Sequence, residues 1–327
     1  NLNKNNYKFF INFLNHKFED GNLIIKNSNI FFKNLENDVL FIKKILNMKY
    51  YYNTKELRNI FFSENEIFNI PYSAEIFKNQ KENKIFSKVK INFLKLQLEN
   101  EINFFKGNKT GKTEILLNKL KSLATYKIND EFFSFNYYDK FENPKFFYKG
   151  LINIKPFYSN VEGKNEELDL SYFLDGNAIV LQLLKTEIFT NKNIEFQSNV
   201  LAKRITNNLN FINLNLNSKI KDGLIDLDET SFEWKNFVNL KITDSLLFVK
   251  DGELILDGEL NINISDYNEV YKYLLTPKKF RKKIQTINFN FSYNFDKKST
   301  NFSNIKVDGE FDQKLNQVMD SLSFKSS

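Results

Sequence analysis

Three groups of residues in this 327-residue chain are of types that could do chemistry. The first is "GNKTGKT" at 107–113. A phosphate-cradling loop needs four residues between its first Gly and Gly-Lys-Thr, so that successive N–H groups wrap the phosphates. Here only Asn108, Lys109 and Thr110 intervene, and no doubly wound pattern follows. The segment is expected to be a hairpin turn between a strand at Ile102–Lys106 and an apolar stretch at Ile115–Leu120. The second is His16, the sole histidine in a chain without cysteine, so a shared metal or a His-activated thiol has no partner residue. It reads as a solvent-facing residue near a turn. The third is a set of carboxylates: Glu166-Glu167, then Asp226, Asp228 and Glu229. General acid–base work needs one of them raised in pKa by an apolar pocket, and nothing around them predicts that. Neither a Gly-x-Ser-x-Gly elbow nor a His-Glu-x-x-His helix occurs. The reading is a non-enzymatic chain with no catalytic residue, metal or cofactor.

Binding is the better prospect. The densest charge run is "PKKFRKK", with Lys278, Lys279, Arg281, Lys282 and Lys283. It is read as the wet face of a short helix, with anionic headgroups or an acidic partner as its functional contact. Aromatics and basics are not interleaved as in a base-stacking platform, so nucleic acid is not expected. The net charge of +7 is compatible with an anionic surface as partner.

The elements that carry these residues read mostly as strands. In "IQTINFNFSYNF", Ile287, Phe289, Phe291, Tyr293 and Phe295 alternate with Asn288, Asn290, Ser292 and Asn294. Period-2 alternation predicts one dry and one wet face. Leu254, Leu256, Leu260, Ile262 and Ile264 follow Asp251-Gly252 in the same manner. Ile212, Leu214, Leu216 and Ile220 run up to Asp222-Gly223, and Leu23–Ile25 follows Asp20-Gly21. Asp-Gly between alternating runs predicts hairpins. Val89, Ile91 and Phe93 give way to Leu94, Leu96 and Leu98 after a one-residue slip, which predicts a β-bulge. "LDGEL" at 256–260 and "VDGEF" at 307–311 form a faint internal echo. Helices are expected at Ala178–Phe189 behind Asn177, at Asp266–Leu275 behind Ser265, from Pro277 to about Ile284, and at Asp312–Leu322.

The expected fold is therefore mostly β (α+β): a long antiparallel meander with a few short helices. An N-terminal β segment is placed at 1–150 and a C-terminal β segment with helical inserts at 151–327. Ten Gly and four Pro in the whole chain leave no flexible linker between them. No apolar run reaches the roughly 18 residues of a membrane span. The chain opens at Asn1 on sequence that reads as mid-domain, and a missing N-terminal anchor is expected.

From about Asp169 to Glu310 the chain resembles the C-terminal region of AsmA-like proteins. The resemblance runs through "LLKTEIF", "FEWKNFVNLKITDSLLFVKDGELILDGELNINISD", "YNEVYKYLLTPKKFRKKIQTINFNFSYNFD" and "NIKVDGEF", in that order. "NSNIFFKN" and "IFNIPYSAEIF" nearer the start are similar in kind. The resemblance implies an envelope protein of Gram-negative bacteria, anchored by one helix in the inner membrane with its bulk in the periplasm. It is similar to the TamB-like, repeating β-groove proteins, whose apolar trough is thought to pass phospholipid acyl chains between the membranes. Partners would be phospholipid, the membrane and other envelope proteins.

On that reading the sheet is long, curved and antiparallel and forms an open groove, with residues 1–150 as its N-terminal β-groove segment, and the trough lining is Leu254, Leu256, Leu260, Ile262, Ile264, Ile287, Phe289, Phe291, Tyr293 and Phe295. The headgroup or partner contact is Lys278, Lys279, Arg281, Lys282 and Lys283. The alternative is a closed β-sandwich binding or adhesion module, whose dry faces meet each other and no lipid. Both demand the same alternation.

Overall fold

The computed structural model describes residues 23–33, 39–79, 84–103, 109–139, 144–154, 157–170, 184–185, 194–206, 208–321 and 324–325. His16, Asp20-Gly21, Asn177 and all but two residues of the 178–189 segment lie outside them. Over the described residues the protein is mostly β, with two short helices. It divides into two compact units, 1–144 with 149–156, and 145–148 with 157–327. The seam falls inside one strand, β10 (Phe146–Ile154).

Unit 1 is an antiparallel meander in which each strand pairs with the next. Its strands are β1 (Leu23–Lys33), β2 (Val39–Asn53), β3 (Arg58–Ile67), β4 (Ile70–Asn79), β5 (Lys84–Ile91), β6 (Leu96–Asn103), β7 (Lys109–Leu117), β8 (Leu120–Ile128) and β9 (Phe132–Tyr138). Cross-strand register places Tyr50, Phe61, Ile76, Ser87, Asn100, Thr113, Ala124 and Tyr137 in one row on one face. The opposite face carries cross-strand ion pairs: Lys44–Glu66 at 2.5 Å, Lys88–Glu99 at 2.5 Å and Lys84–Glu101 at 2.6 Å.

Two expectations change here. The expected hairpin pairs β6 with β7, but residues 109–113 of "GNKTGKT" belong to the start of β7 and 104–108 lie outside the described residues; Gly111 lies under the ring of its cross-strand partner Tyr126. The slip after Ile91 is a hairpin connection, not a bulge. A 3-10 turn at Asn92–Leu94 ends on Lys95 in the left-handed region, and Val89 still pairs with Leu98 and Ile91 with Leu96.

Unit 2 begins with β11 (Phe157–Leu168) and β12 (Glu195–Ile205), which pair in parallel, from Tyr158 opposite Glu195 to Leu168 opposite Ile205. This departs from an all-antiparallel sheet. The connection 169–194 is long enough to cross over, as a parallel pair requires. The remaining strands are antiparallel: β13 (Phe211–Lys221), β14 (Leu224–Asp226), β15 (Ser231–Trp234), β16 (Val238–Lys250), β17 (Glu253–Ile264), β18 (Thr286–Asn294), β19 (Ser299–Val307), β20 (Glu310–Phe311) and β21 (Phe324–Lys325).

The predicted turns at Asp222-Gly223 and Asp251-Gly252 form, and Asp308-Gly309 makes a third. Asp222-Gly223, Asp251-Gly252 and Asp308-Gly309 all have both residues at positive φ, the signature of a type I′ hairpin. The sheet also bends at three bulges, where Asn213, Asp244 and Asn304 occupy left-handed conformations at register shifts. Asn and Asp tolerate that conformation because their short polar side chains bond locally.

Between β17 and β18 lies α1 (Tyr267–Tyr273), followed by one 3-10 turn at Lys278–Phe280. The cap of α1 is Asp266, whose carboxylate accepts the N–H groups of Asn268 and Glu269 at 3.0 and 3.1 Å. Ser265, the expected cap, instead donates its hydroxyl to the carbonyl of Phe237 at 3.0 Å. The expected helix from Pro277 to Ile284 is only that single turn. A run of cations three and four apart repels itself along a helix. The last helix, α2 (Gln313–Ser321), packs on β19, and Asn316 exchanges hydrogen bonds with both backbone groups of Ile305 at 2.9 and 3.0 Å.

Candidate functional site

Registers in unit 2 place all the predicted lining residues on one face. Leu256 is opposite Tyr293, Gly258 opposite Phe291, Leu260 opposite Phe289 and Ile262 opposite Ile287. Leu254, Ile264 and Phe295 extend those rows by the same parity. The face continues onto β16, where Leu240 pairs with Ile262, Ile242 with Leu260 and Leu247 with Leu256. It continues onto β19 too, where Phe302 pairs with Phe291 and Val307 with Ile287. These flanking residues were missed in the sequence, although "VNLKI" alternates legibly. The slip at Asp244-Ser245 hid the rest.

The two ends of this face differ. At one end Leu254, Leu256 and Phe295 are 1%, 8% and 6% exposed and form a core with Ile220, Ile225 and Leu247. Leu184, from the crossover between β11 and β12, packs against that cluster. A polar clip holds it there. One oxygen of Asp296 takes the Lys185 ammonium and the other takes the backbone N–H of Leu254, at 2.8 Å. Burial pushes the Asp296 carboxyl up, but its bonds from Lys185 and from the Leu254 N–H together hold it below the ordinary aspartate value.

The other seven lining residues, Leu260, Ile262, Ile264, Ile287, Phe289, Phe291 and Tyr293, are only half-buried. Their rings lean along the sheet. Phe289 meets Phe302 edge-on at 5.2 Å, Tyr293 meets Phe295 at 4.8 Å, and Phe291 lies against Gly258. Gly258 leaves the space that ring fills: a Cβ there would stand 3.1 Å from two of its carbons. The opposite face is polar, with Asn261 bonded to Thr243 at 2.8 Å and to Asn288 on the next strand.

In unit 1 one face is more mixed. Tyr50, Ile85, Phe61, Ile76 and Ile102 cluster on it, and burial drives the Tyr50 hydroxyl up to about 12. Beside them Thr113 donates to Asn100, which donates to Ser87, and Asn65 donates to Ser63 with both side chains buried.

The predicted carboxylates do not converge. Glu166 pairs with Lys203 at 2.8 Å, Glu167 with Arg204 at 3.5 Å and Glu229 with Lys241 at 2.6 Å. Asp228 accepts the backbone N–H and the hydroxyl of Ser245 at 2.7 and 2.6 Å, which secures the bulge. Among the described residues no cluster of three acidic, His or Cys side chains could hold a metal, and no helix is long and apolar enough to cross a membrane.

The basic run lies in the insert between β17 and β18. Lys278, Lys279, Lys282 and Lys283 are exposed, and Arg281 turns inward to donate from Nε to the carbonyl of Thr276 at 2.8 Å. The insert is fixed to the sheet end by aromatic contacts: Tyr273 packs edge-on against Trp234 at 4.9 Å, and Trp234 against Phe237 at 5.2 Å. Comparison with protein-family models, curated proteins and solved structures finds no match to this chain.

Proposed function

We propose that the dry face of unit 2 shelters phospholipid acyl chains, and that the protein handles lipid by sequestration rather than by catalysis. The carrying observation is that seven apolar residues in register on one face, from Leu260 to Tyr293, are only half-buried, while the opposite face is polar. Contiguous apolar surface of this kind is rarely left to water. Each 100 Å2 covered by an acyl chain contributes about 2.5 kcal/mol. The AsmA-like resemblance supports the same reading and with it a periplasmic, inner-membrane-anchored envelope protein with envelope partners.

A second reading, the closed sandwich, draws on the other end of the face. There Leu184 and the Asp296 clip already cover Leu254, Leu256 and Phe295 with protein. Lipid extraction and mass spectrometry of the purified chain separate the two. Co-purifying phospholipid that is lost in Phe289→Asp or Phe291→Asp, with the β circular-dichroism spectrum retained, supports the groove. A lipid-free monomer whose 286–294 amides and side chains are protected on both faces supports the sandwich and refutes it.

A further inference from the structure

The insert between β17 and β18 combines two features that neither the sheet nor its turns explain. Four of its residues expose large apolar side chains: Tyr273 at 45%, Leu274 at 60%, Leu275 at 87% and Phe280 at 63%. Around them stand Lys272, Lys278, Lys279, Lys282 and Lys283, all exposed. The only acidic residues between 265 and 285 are Asp266, which caps α1, and Glu269, which pairs with Lys272 at 2.5 Å. Six basic residues less two acidic ones leave a net charge of +4 on 21 residues.

The backbone adds an independent sign. Helix α1 ends in a Schellman motif, with the Thr276 N–H bonded to the Tyr271 carbonyl at 2.9 Å and the Leu275 N–H to the Lys272 carbonyl at 3.1 Å. The residue at its left-handed position is Leu275, at φ +53. Glycine is the residue that fits there without strain, and an L side chain with a bulky γ-carbon is disfavoured. Packing does not explain the leucine, because it is the most exposed large apolar residue on the chain among those described. Leu57 in unit 1 is also exposed at positive φ, but at Leu275 the strained, exposed side chain stands among lysines, and that conjunction points to a use outside the fold.

We propose that this insert is a docking tip for an anionic lipid surface, with Leu274, Leu275 and Phe280 entering the headgroup–acyl boundary and the lysines meeting the phosphates. An apolar wedge ringed by lysines matches that boundary on both counts, since buried apolar area and attraction to anionic lipid act together. An acidic protein surface would complement the lysines but offers no reason for the strained, exposed leucine. The proposal does not require acyl chains on the dry face.

Flotation of the whole chain with vesicles tests it, using phosphatidylcholine alone and phosphatidylcholine with a third phosphatidylglycerol. The chain is expected to float with the anionic vesicles only, and to be released in about 1 M salt, where charges are screened beyond a few ångströms. Leu275→Gly relieves the backbone strain, so its melting temperature stays level or rises while vesicle affinity falls about tenfold or more. The triple variant Lys278→Glu, Lys279→Glu, Lys282→Glu abolishes flotation. Lipid extraction of the wild-type chain reads the acyl-chain proposal and flotation reads this one, so a failure of either is distinguishable from a failure of the other. Equal binding to neutral vesicles, wild-type flotation of Leu275→Gly, or retention on polyglutamate resin without flotation overturns the proposal.

Discussion

Replacing Asp296 by Ala is the sharpest test of how the dry face is closed at one end. Its two oxygens do separate work, one on the Lys185 ammonium and one on the N–H of Leu254, a residue only 1% exposed. Losing the second contact leaves a buried backbone donor without a partner, which costs about 1–3 kcal/mol. The first is a partly exposed ion pair, with side chains 21% and 29% accessible, and is worth under about 1 kcal/mol. Asp296→Ala should therefore lower unfolding free energy by about 1–4 kcal/mol, and Lys185→Met by less than about 1 kcal/mol. Urea titration followed by Trp234 fluorescence measures both, and exchange of the Leu254 amide locates the effect. The carboxyl's folded pKa lies below its unfolded value, so its contribution is present above the ordinary aspartate pKa and is lost as pH falls through the folded one. The difference between wild type and Asp296→Ala should shrink below about pH 4. If Asp296→Ala costs no more than Lys185→Met, the account of the Leu254 donor is wrong.

Two further outcomes follow from the same contacts. A Cβ at Gly163 would stand 2.4 Å from the ring of Tyr148, whose hydroxyl bonds Asn165 at 3.1 Å, whereas one at Gly258 meets the Phe291 ring at 3.1 Å. Thermal melts should therefore show Gly163→Ala losing about 2–3 kcal/mol and Gly258→Ala about 1 kcal/mol, and equal losses would contradict the ring positions. The carboxyls of Glu99, held down by its bond from Lys88, and Asp308, held down by the N–H groups of Thr286 and Gln285, are lowered as Asp296 is. The sign is the same for all three, so melting temperature should be level from neutral pH to about 5 and fall below about pH 4, and a flat profile through pH 3 would contradict it.

Much of the fold was legible in the residues because the information was local. Alternation of Ile287, Phe289, Phe291, Tyr293 and Phe295 with polar residues marks a strand and its dry side, since successive side chains must point oppositely. Asp251-Gly252 marks a hairpin because both residues accept positive φ. Local pattern failed where neighbours decide. Asp257-Gly258 and Asp308-Gly309 sit in nearly the same pentapeptide, yet the first runs straight through β17 and the second turns a hairpin. What separates them is the ring of Phe291 across the strand from Gly258, a contact no window of sequence contains.

The candidate surface divides in the same manner. That Leu254 and Phe289 each point to a dry side was determined by parity within their strands, and the register across the insert makes those two sides one face. That Leu254 is closed over by Leu184 while Phe289 stays half-exposed was decided only by the tertiary structure. It depends on where a crossover from a parallel strand pair comes to rest, and on one carboxylate that ties it down. Leu275 is the converse case. Nothing in "KYLLTP" distinguishes its second leucine, and only the left-handed end of α1 makes that side chain both strained and exposed.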